Sequence, residues 1–316
     1  MTYDMKYEQP ERIFLAQTPT PIESLDELIP GTTILVKRDD LTGTLLSGNK
    51  IRKLEFLLAE AKTLEKKRII TCGGIQSNHC RATAIAARRL GMDTLLFLRA
   101  DEPPTDVSSF TGNLKLNELV GADIRFVTSQ QYESRVEIMK SAAGEDDYII
   151  PEGGSNALGA WGYICAVDEM TRQWKTPPSS IICATGSGGT LAGIIMGLQR
   201  RHLDIPAYGV CVCNDAPTFQ KIVSKICNDA HERWPQLPSV AADQVNIIEG
   251  YVGRGYALST PEELADIKRI ASHRGLFFDP VYTAKAFRAL LYESHRFGTR
   301  PLFIHTGGIF GLLAHS

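Results

Sequence analysis

Ser47-Gly48-Asn49-Lys50-Ile51-Arg52-Lys53-Leu54-Glu55-Phe56 is the stretch on which the reading of this chain turns. A glycine-containing turn opens an amphipathic helix here, and it places Lys50 near the backbone donors of a helix start, beside two further cations, Arg52 and Lys53. Like charges lower an amine's pKa, and a lysine with a lowered pKa can form a Schiff base with a carbonyl. Taken alone, such a lysine is usually a solvated first-turn residue. Three further segments, far apart in the chain, change that reading.

The first of these is Cys72-Gly73-Gly74-Ile75-Gln76-Ser77-Asn78-His79, directly after a strand pattern and directly before an Ala-rich helix. Successive N–H groups at such a helix start make an anion site, and in an α/β sheet the carboxyl end of a strand is where ligands bind. Ser77 and Asn78 add short polar side chains at that edge; the plainer reading is an N-cap serine. The next is Ala184-Thr185-Gly186-Ser187-Gly188-Gly189-Thr190-Leu191, where a strand again runs through glycines into a helix. The glycines let backbone approach a phosphate closely, and Thr185, Ser187 and Thr190 add hydroxyls. No Gly-Lys-Ser/Thr follows, so this is not a Walker A loop. Gly-x-Gly-x-x-Gly is also missing, and no acid closes the next strand, so a lone monophosphate fits better than a dinucleotide. The last is a C-terminal pair, Asp279-Pro280-Val281-Tyr282-Thr283 and Ile304-His305-Thr306-Gly307-Gly308, polar clusters at the ends of apolar segments.

The frame is a chain of 316 residues, 43% hydrophobic and 22% charged, long enough for two domains or one large α/β domain. Strands are expected at 33–37, 68–72, 94–98, 123–127, 180–184, 207–212 and 301–305. Helices are expected near 49–64, 78–90, 111–120, 157–173, 190–201, 260–274 and 283–296. This alternation argues for a parallel-rich sheet with helices on both faces. A net charge of -2 gives no reason to expect nucleic acid or an anionic membrane as partner. No apolar run reaches the roughly 18 residues of a membrane span, and residues 1–6 have no apolar signal core. Seven cysteines, mostly in apolar runs, suit reduced thiols in a cytosolic enzyme. Cys211 and Cys213 have no matching second pair, so no metal is expected.

Together with Thr18-Pro19-Thr20-Pro21 and Val36-Lys37-Arg38-Asp39-Asp40, these segments resemble the β-family (fold type II, tryptophan synthase β-like) of pyridoxal-phosphate enzymes. More narrowly, they resemble its D-cysteine desulfhydrase and 1-aminocyclopropane-1-carboxylate (ACC) deaminase branch, over nearly the whole chain. The resemblance implies two domains: a large cofactor-binding one of residues 1–46 and 156–316, and a smaller inserted α/β domain of residues 47–155. It implies pyridoxal 5'-phosphate as cofactor, Lys50 as the Schiff-base lysine, and Asn78 on the cofactor's phenolic oxygen. Ser77 falls at the substrate carboxylate or its α-carbon. Thr185, Gly186, Ser187, Gly188, Gly189 and Thr190 cradle the phosphate with Lys53, Tyr256 and Tyr282 stand near the substrate, and Thr306 faces the pyridine nitrogen. A cytoplasmic homodimer acting on a small amino acid is the accompanying expectation.

Within the branch, ACC deaminases usually carry Glu after the Asp-Pro-Val-Tyr tyrosine and Leu in His-Leu-Gly-Gly; here the residues are Thr283 and Thr306, as in D-cysteine desulfhydrases. The tail departs from that group, with Ile309-Phe310-Gly311-Leu312 where Ala-Pro-Ala-Leu is common, which implies a different pocket wall. The expected reaction is α,β-elimination from D-cysteine to pyruvate, hydrogen sulfide and ammonia. Freed Lys50 is the default α-proton base, and Ser77 or a tyrosine the alternative. ACC deaminase and L-cysteate sulfo-lyase are the alternatives on the same fold. A nicotinamide dehydrogenase lacks its motif here, and a non-catalytic binder would not need Lys50.

Overall fold

The computed structural model describes residues 9–255 and 257–314. Along the chain, β1 (Ile22–Ile29) and β2 (Thr32–Lys37) form an antiparallel hairpin that leads to α1 (Lys50–Thr63). β3 (Arg68–Gly74), α2 (Asn78–Arg89), β4 (Asp93–Arg99), α3 (Gly112–Leu119), β5 (Asp123–Val127), α4 (Ser129–Glu133), α5 (Arg135–Ala142) and β6 (Asp147–Ile149) follow. Next come α6 (Ala157–Gln173), β7 (Ser180–Thr185), α7 (Gly189–Arg200), β8 (Ala207–Cys211), α8 (Ala216–Arg233), β9 (Asn246–Ile248) and α9 (Pro261–Arg274). α10 (Thr283–Tyr292), β10 (Pro301–Ile304) and α11 (Ile309–Leu313) complete the chain.

The strands make two sheets. One has six strands in the order β1-β2-β10-β7-β8-β9, and the other four in the order β5-β4-β3-β6. Every pairing except the β1–β2 hairpin is parallel. The expected parallel-rich α/β fold is therefore present. β7, with every residue buried, reads as the apolar run Ser-Ile-Ile-Cys-Ala-Thr because helices cover both of its faces. The carboxyl ends of β3, β7 and β10 each run into one of the segments singled out above, continuing as Ile75–His79, Gly186–Thr190 and His305–Gly308.

α1 is not an amphipathic surface helix. Ten of its residues are buried, Arg52, Lys53 and Glu55 among them, because the helix lies between α2 and α6 with its charges compensated internally. Arg52 donates from Nε to Asp39 Oδ2 at 2.9 Å and from Nη1 to Glu169 Oε2 at 2.9 Å. Lys37 joins Glu169 at 2.5 Å, and the Tyr163 hydroxyl donates to Asp39 at 2.5 Å. Burial works against ionised Asp39, but Arg52 and Lys37 outweigh it and hold the carboxyl below its usual range. Glu55 in turn accepts from the backbone N–H groups of Leu15 and Ala16 at 2.7 and 2.8 Å, anchoring the N-terminal segment. No helix among the described residues is long and apolar enough to cross a membrane.

Candidate active site

Lys50 is the first residue of α1, and it opens onto a cavity of about 650 Å³. Burial lowers its ammonium pKa to about 8, against the opposing pull of Glu152 and Asp279. The lowered pKa agrees with the expectation, but its cause does not. Arg52 points away into the ion-pair network, and the like-charge effect falls on Lys53, whose pKa is pushed well down by burial and by Lys50. The turn before Lys50 requires glycine. Gly48 sits at φ +110, and a Cβ there would come within 2.7 Å of the Thr306 carbonyl oxygen. That close approach brings Thr306 to the cavity wall beside Lys50, and Asn49 N–H donates to the same carbonyl at 3.3 Å.

The glycine loop forms a second wall. Gly188 caps α7, a twelve-residue helix, in the left-handed conformation at φ +81, and Gly188, Thr190 and Leu191 at this helix start line the cavity. Lys53 Nζ lies near Gly189, where an added Cβ would stand 2.9 Å away, and it donates to Ser155 Oγ at 3.0 Å. Ser155 Oγ also accepts from Gly189 N–H at 3.2 Å and lies 2.8 Å from Ser187 Oγ. Thr190 Oγ1 accepts from Asn49 Nδ2 at 2.9 Å. The Thr185 hydroxyl is buried and lies toward Gly209 of β8. Gly186 packs on the Tyr282 ring, 3.1 Å from where its Cβ would be.

Ser77 and Asn78 line the same cavity. Ser77 is the N-cap of α2, its Oγ accepting from Cys80 N–H at 3.2 Å, and it lines the cavity. Tyr282 lines the cavity ahead of α10, its N–H donating to Asp279 Oδ2 at 2.9 Å. Thr283 does not line it: its hydroxyl donates to Asp279 Oδ1 at 2.6 Å, and the side chain is fully buried. Only Thr306 of the two discriminating threonines thus meets the cavity. Phe310 also stands outside the cavity wall, packing under the Arg81 guanidinium at 5.0 Å, while Gly311 lines a smaller neighbouring pocket. Tyr256 lies outside the described residues.

Sequence reasoning gave no role to Ser155, Asn49 or His79. Thr71 donates its hydroxyl hydrogen to the Ile150 carbonyl at 2.8 Å, so it must accept from His79 Nε2, 2.8 Å away. His79 Nδ1 is left buried and without a partner, and burial together with Lys50 and Lys53 holds the ring neutral.

The residues fit a phosphate-bearing aldehyde cofactor. Lys50, its basicity depressed by burial, shares one cavity with Ser155, Ser187 and Thr190 at the start of α7, and Lys53 Nζ bonds Ser155 there.

Residues 13–307 match the pyridoxal-phosphate dependent enzyme family. A Thermotoga maritima protein provisionally named 1-aminocyclopropane-1-carboxylate deaminase is 43% identical over 315 residues, covering 96% of this chain and 98% of its own length. An Arabidopsis thaliana mitochondrial protein, named bifunctional D-cysteine desulfhydrase/1-aminocyclopropane-1-carboxylate deaminase, is 41% identical over 94% of this chain and 78% of its own. A Yersinia pestis D-cysteine desulfhydrase is 35% identical over 100% of this chain and 99% of its own. Among solved structures, the crystal structure of an ACC deaminase homologue superposes with a TM-score of 0.85 at 33% identity, covering 97% of this chain and 94% of that one.

Proposed function

This chain belongs to the pyridoxal-phosphate dependent enzyme family, and from that premise we propose that it eliminates sulfide from D-cysteine, giving pyruvate, hydrogen sulfide and ammonia. The observation that carries the reading is a single cavity lined by Lys50, by Gly186, Ser187, Gly188 and Thr190 of the glycine loop, and by Ser77 with Asn78. ACC ring opening is the second reading, because one relative is named for both reactions.

Lys50 would hold the cofactor, with the first turn of α7, Lys53 and the hydroxyls near Gly189 at its phosphate and Asn78 at its phenolic oxygen. Bound pyridoxal phosphate supplies an aldehyde that condenses with amines and a ring that takes up the electron pair left at the α-carbon. The protein does the rest. Lys50 Nζ, with a pKa near 8, is a free amine for much of the time at mildly alkaline pH, so when not bonded to the cofactor it would be able to accept the α-proton. The Ser77 hydroxyl donates toward the substrate carboxylate, and Tyr282 closes the opposite face. Thr306 would offer the pyridine nitrogen a neutral hydroxyl rather than an acid. This suits loss of a good leaving group more than a ring opening, which must deliver a proton to carbon.

Reduction with borohydride tests the site: the cofactor should become covalently fixed on Lys50. Trapping on any other lysine, or full turnover in Lys50→Ala, contradicts it.

The division into residues 1–46 with 156–316 and an inserted 47–155 is part of the same proposal. It is supported by the four-stranded sheet lying wholly within 68–149, although α1 packs on α6 of the larger part. Protease cuts clustered within β3 or β4, instead of near residues 46 and 155, would count against that division. The reading includes a homodimer in a reducing, cytoplasmic setting; seven free cysteines, five of them buried, support the compartment. A monomeric mass by light scattering would remove the dimer.

A further inference from the structure

Asn113, on the second residue of α3, is completely buried and lies 35 residues from Asn78 in sequence. Its backbone N–H donates to Gln76 Oε1 at 2.8 Å. Its side-chain Nδ2 donates to the Gln76 main-chain carbonyl at 2.9 Å and to Asn78 Oδ1 at 2.9 Å. Gln76 Nε2 donates back to the Thr111 carbonyl at 3.1 Å, so the loop before α2 and the first turn of α3 are tied reciprocally.

The orientation of this chain of amides is fixed by its far end. A main-chain carbonyl only accepts, so the Asn113 carboxamide must present nitrogen to Gln76. Its second hydrogen then meets Asn78, which must answer with oxygen. Asn78 is left with its Nδ2, a donor only, for the cavity it lines. Among the described residues Asn113 Oδ1 has no hydrogen-bond partner, so what this side chain contributes is its two donors. A free carboxamide could turn over and offer either end to a ligand; this one cannot without breaking the bond to Asn113.

We propose that Asn113 is a positioning residue for the cofactor: it holds Asn78 with the amide nitrogen toward the phenolic oxygen, so that the site always offers that oxygen a donor. The inference rests on the reading of Asn78 above and assigns its orientation to a residue of a different helix. Asn113 acts only through Asn78 and touches no reacting atom.

The test compares Asn78→Ala, Asn113→Ala and Asn113→Asp as apoproteins. It measures the dissociation constant of pyridoxal phosphate by fluorescence and the position of the bound cofactor's visible band across pH. Asn113→Asp keeps the shape but can only accept, so it would turn Asn78 over and present oxygen to oxygen. It should weaken cofactor binding roughly tenfold, as Asn78→Ala does, and move the visible band the same way. Asn113→Ala should fall between these and wild type. If Asn78→Ala moves band and affinity while both Asn113 variants match wild type, or lower only the melting temperature, the positioning role is overturned and the Asn78 reading stands. If Asn78→Ala itself changes neither, the Asn78 reading falls and takes the proposal with it. Should Asn113→Asp not fold, Asn113→Ala decides the matter by the same two readouts.

Discussion

Asn49 donates its side-chain amide to the hydroxyl of Thr190 at 2.9 Å, joining residues 141 positions apart. One belongs to the turn that presents Lys50, the other to the first turn of α7. On the proposed reading, with the cofactor held covalently at Lys50 and by its phosphate at the glycine loop, this bond would fix the spacing between the cofactor's two ends.

Breaking that link should therefore loosen the cofactor without removing its anchor. Asn49→Ala and Thr190→Val are each expected to lower pyridoxal phosphate affinity by about 1–2 kcal/mol. Because they share one bond, the double variant should cost about as much as either alone. Equilibrium dialysis of the three apoproteins checks this, and strictly additive losses would show that the two side chains act separately.

Gly188 bears on both binding and stability. A side chain there would be forced to φ +81 and would meet Ile222 of α8 at 2.9 Å. Gly188→Val should lower stability by roughly 1–3 kcal/mol through backbone strain and crowding, and abolish cofactor binding. Thermal melts with cofactor titration measure both, and normal binding in a folded variant would reduce the loop to a packing turn.

The pH dependence of cofactor capture follows from Lys50. Its pKa is lowered to about 8, so the amine loses its proton as pH rises through that value, well before an ordinary lysine near 10.5 would. The rate at which apoprotein captures pyridoxal phosphate should climb between about pH 7 and 9 and then level off. A rate that keeps climbing to pH 10 and beyond would place Lys50 in an ordinary solvated environment.

Arg52 makes a contrasting case. Its removal leaves Asp39 and Glu169 facing each other with only Lys37 between them, Asp39 being fully buried. Arg52→Met should destabilise the fold by about 3–5 kcal/mol in urea titration while leaving the ratio of activities between substrates unchanged. A shift in that ratio would mean that Arg52 reaches the substrate.

Much of this was readable from the chain, where pattern and chemistry agreed. β3, β5, β7 and β10 begin where the apolar runs predict, and the Thr260 cap with Glu263 forms the capping box its sequence announces. α8, absent from the expected helices, carries its own signals: Asp215 caps Thr218 N–H, Pro217 sits in the first turn, and Phe219, Val223, Ile226, Cys227 and Ala230 make a helical stripe. β1 was harder, since an edge strand carrying Glu23, Ser24, Asp26 and Glu27 shows no continuous apolar face, and its register shifts between Leu25 and Ile29. The segments lining the site stood out through glycine and short polar residues, which mark close backbone approach. Side-chain direction did not: that Arg52 turns into a buried ion network, that Thr283 bonds Asp279, and that Asn113 meets Asn78 all depend on contacts between distant segments.

The most direct measurement is the pair of steady-state kcat/KM values for the purified, cofactor-loaded protein: pyruvate and sulfide from D-cysteine, and 2-oxobutanoate from ACC. With a neutral hydroxyl at Thr306 on the cavity wall, the value for D-cysteine should be clearly the higher. A higher value for ACC, or turnover of neither, would contradict the proposed reaction.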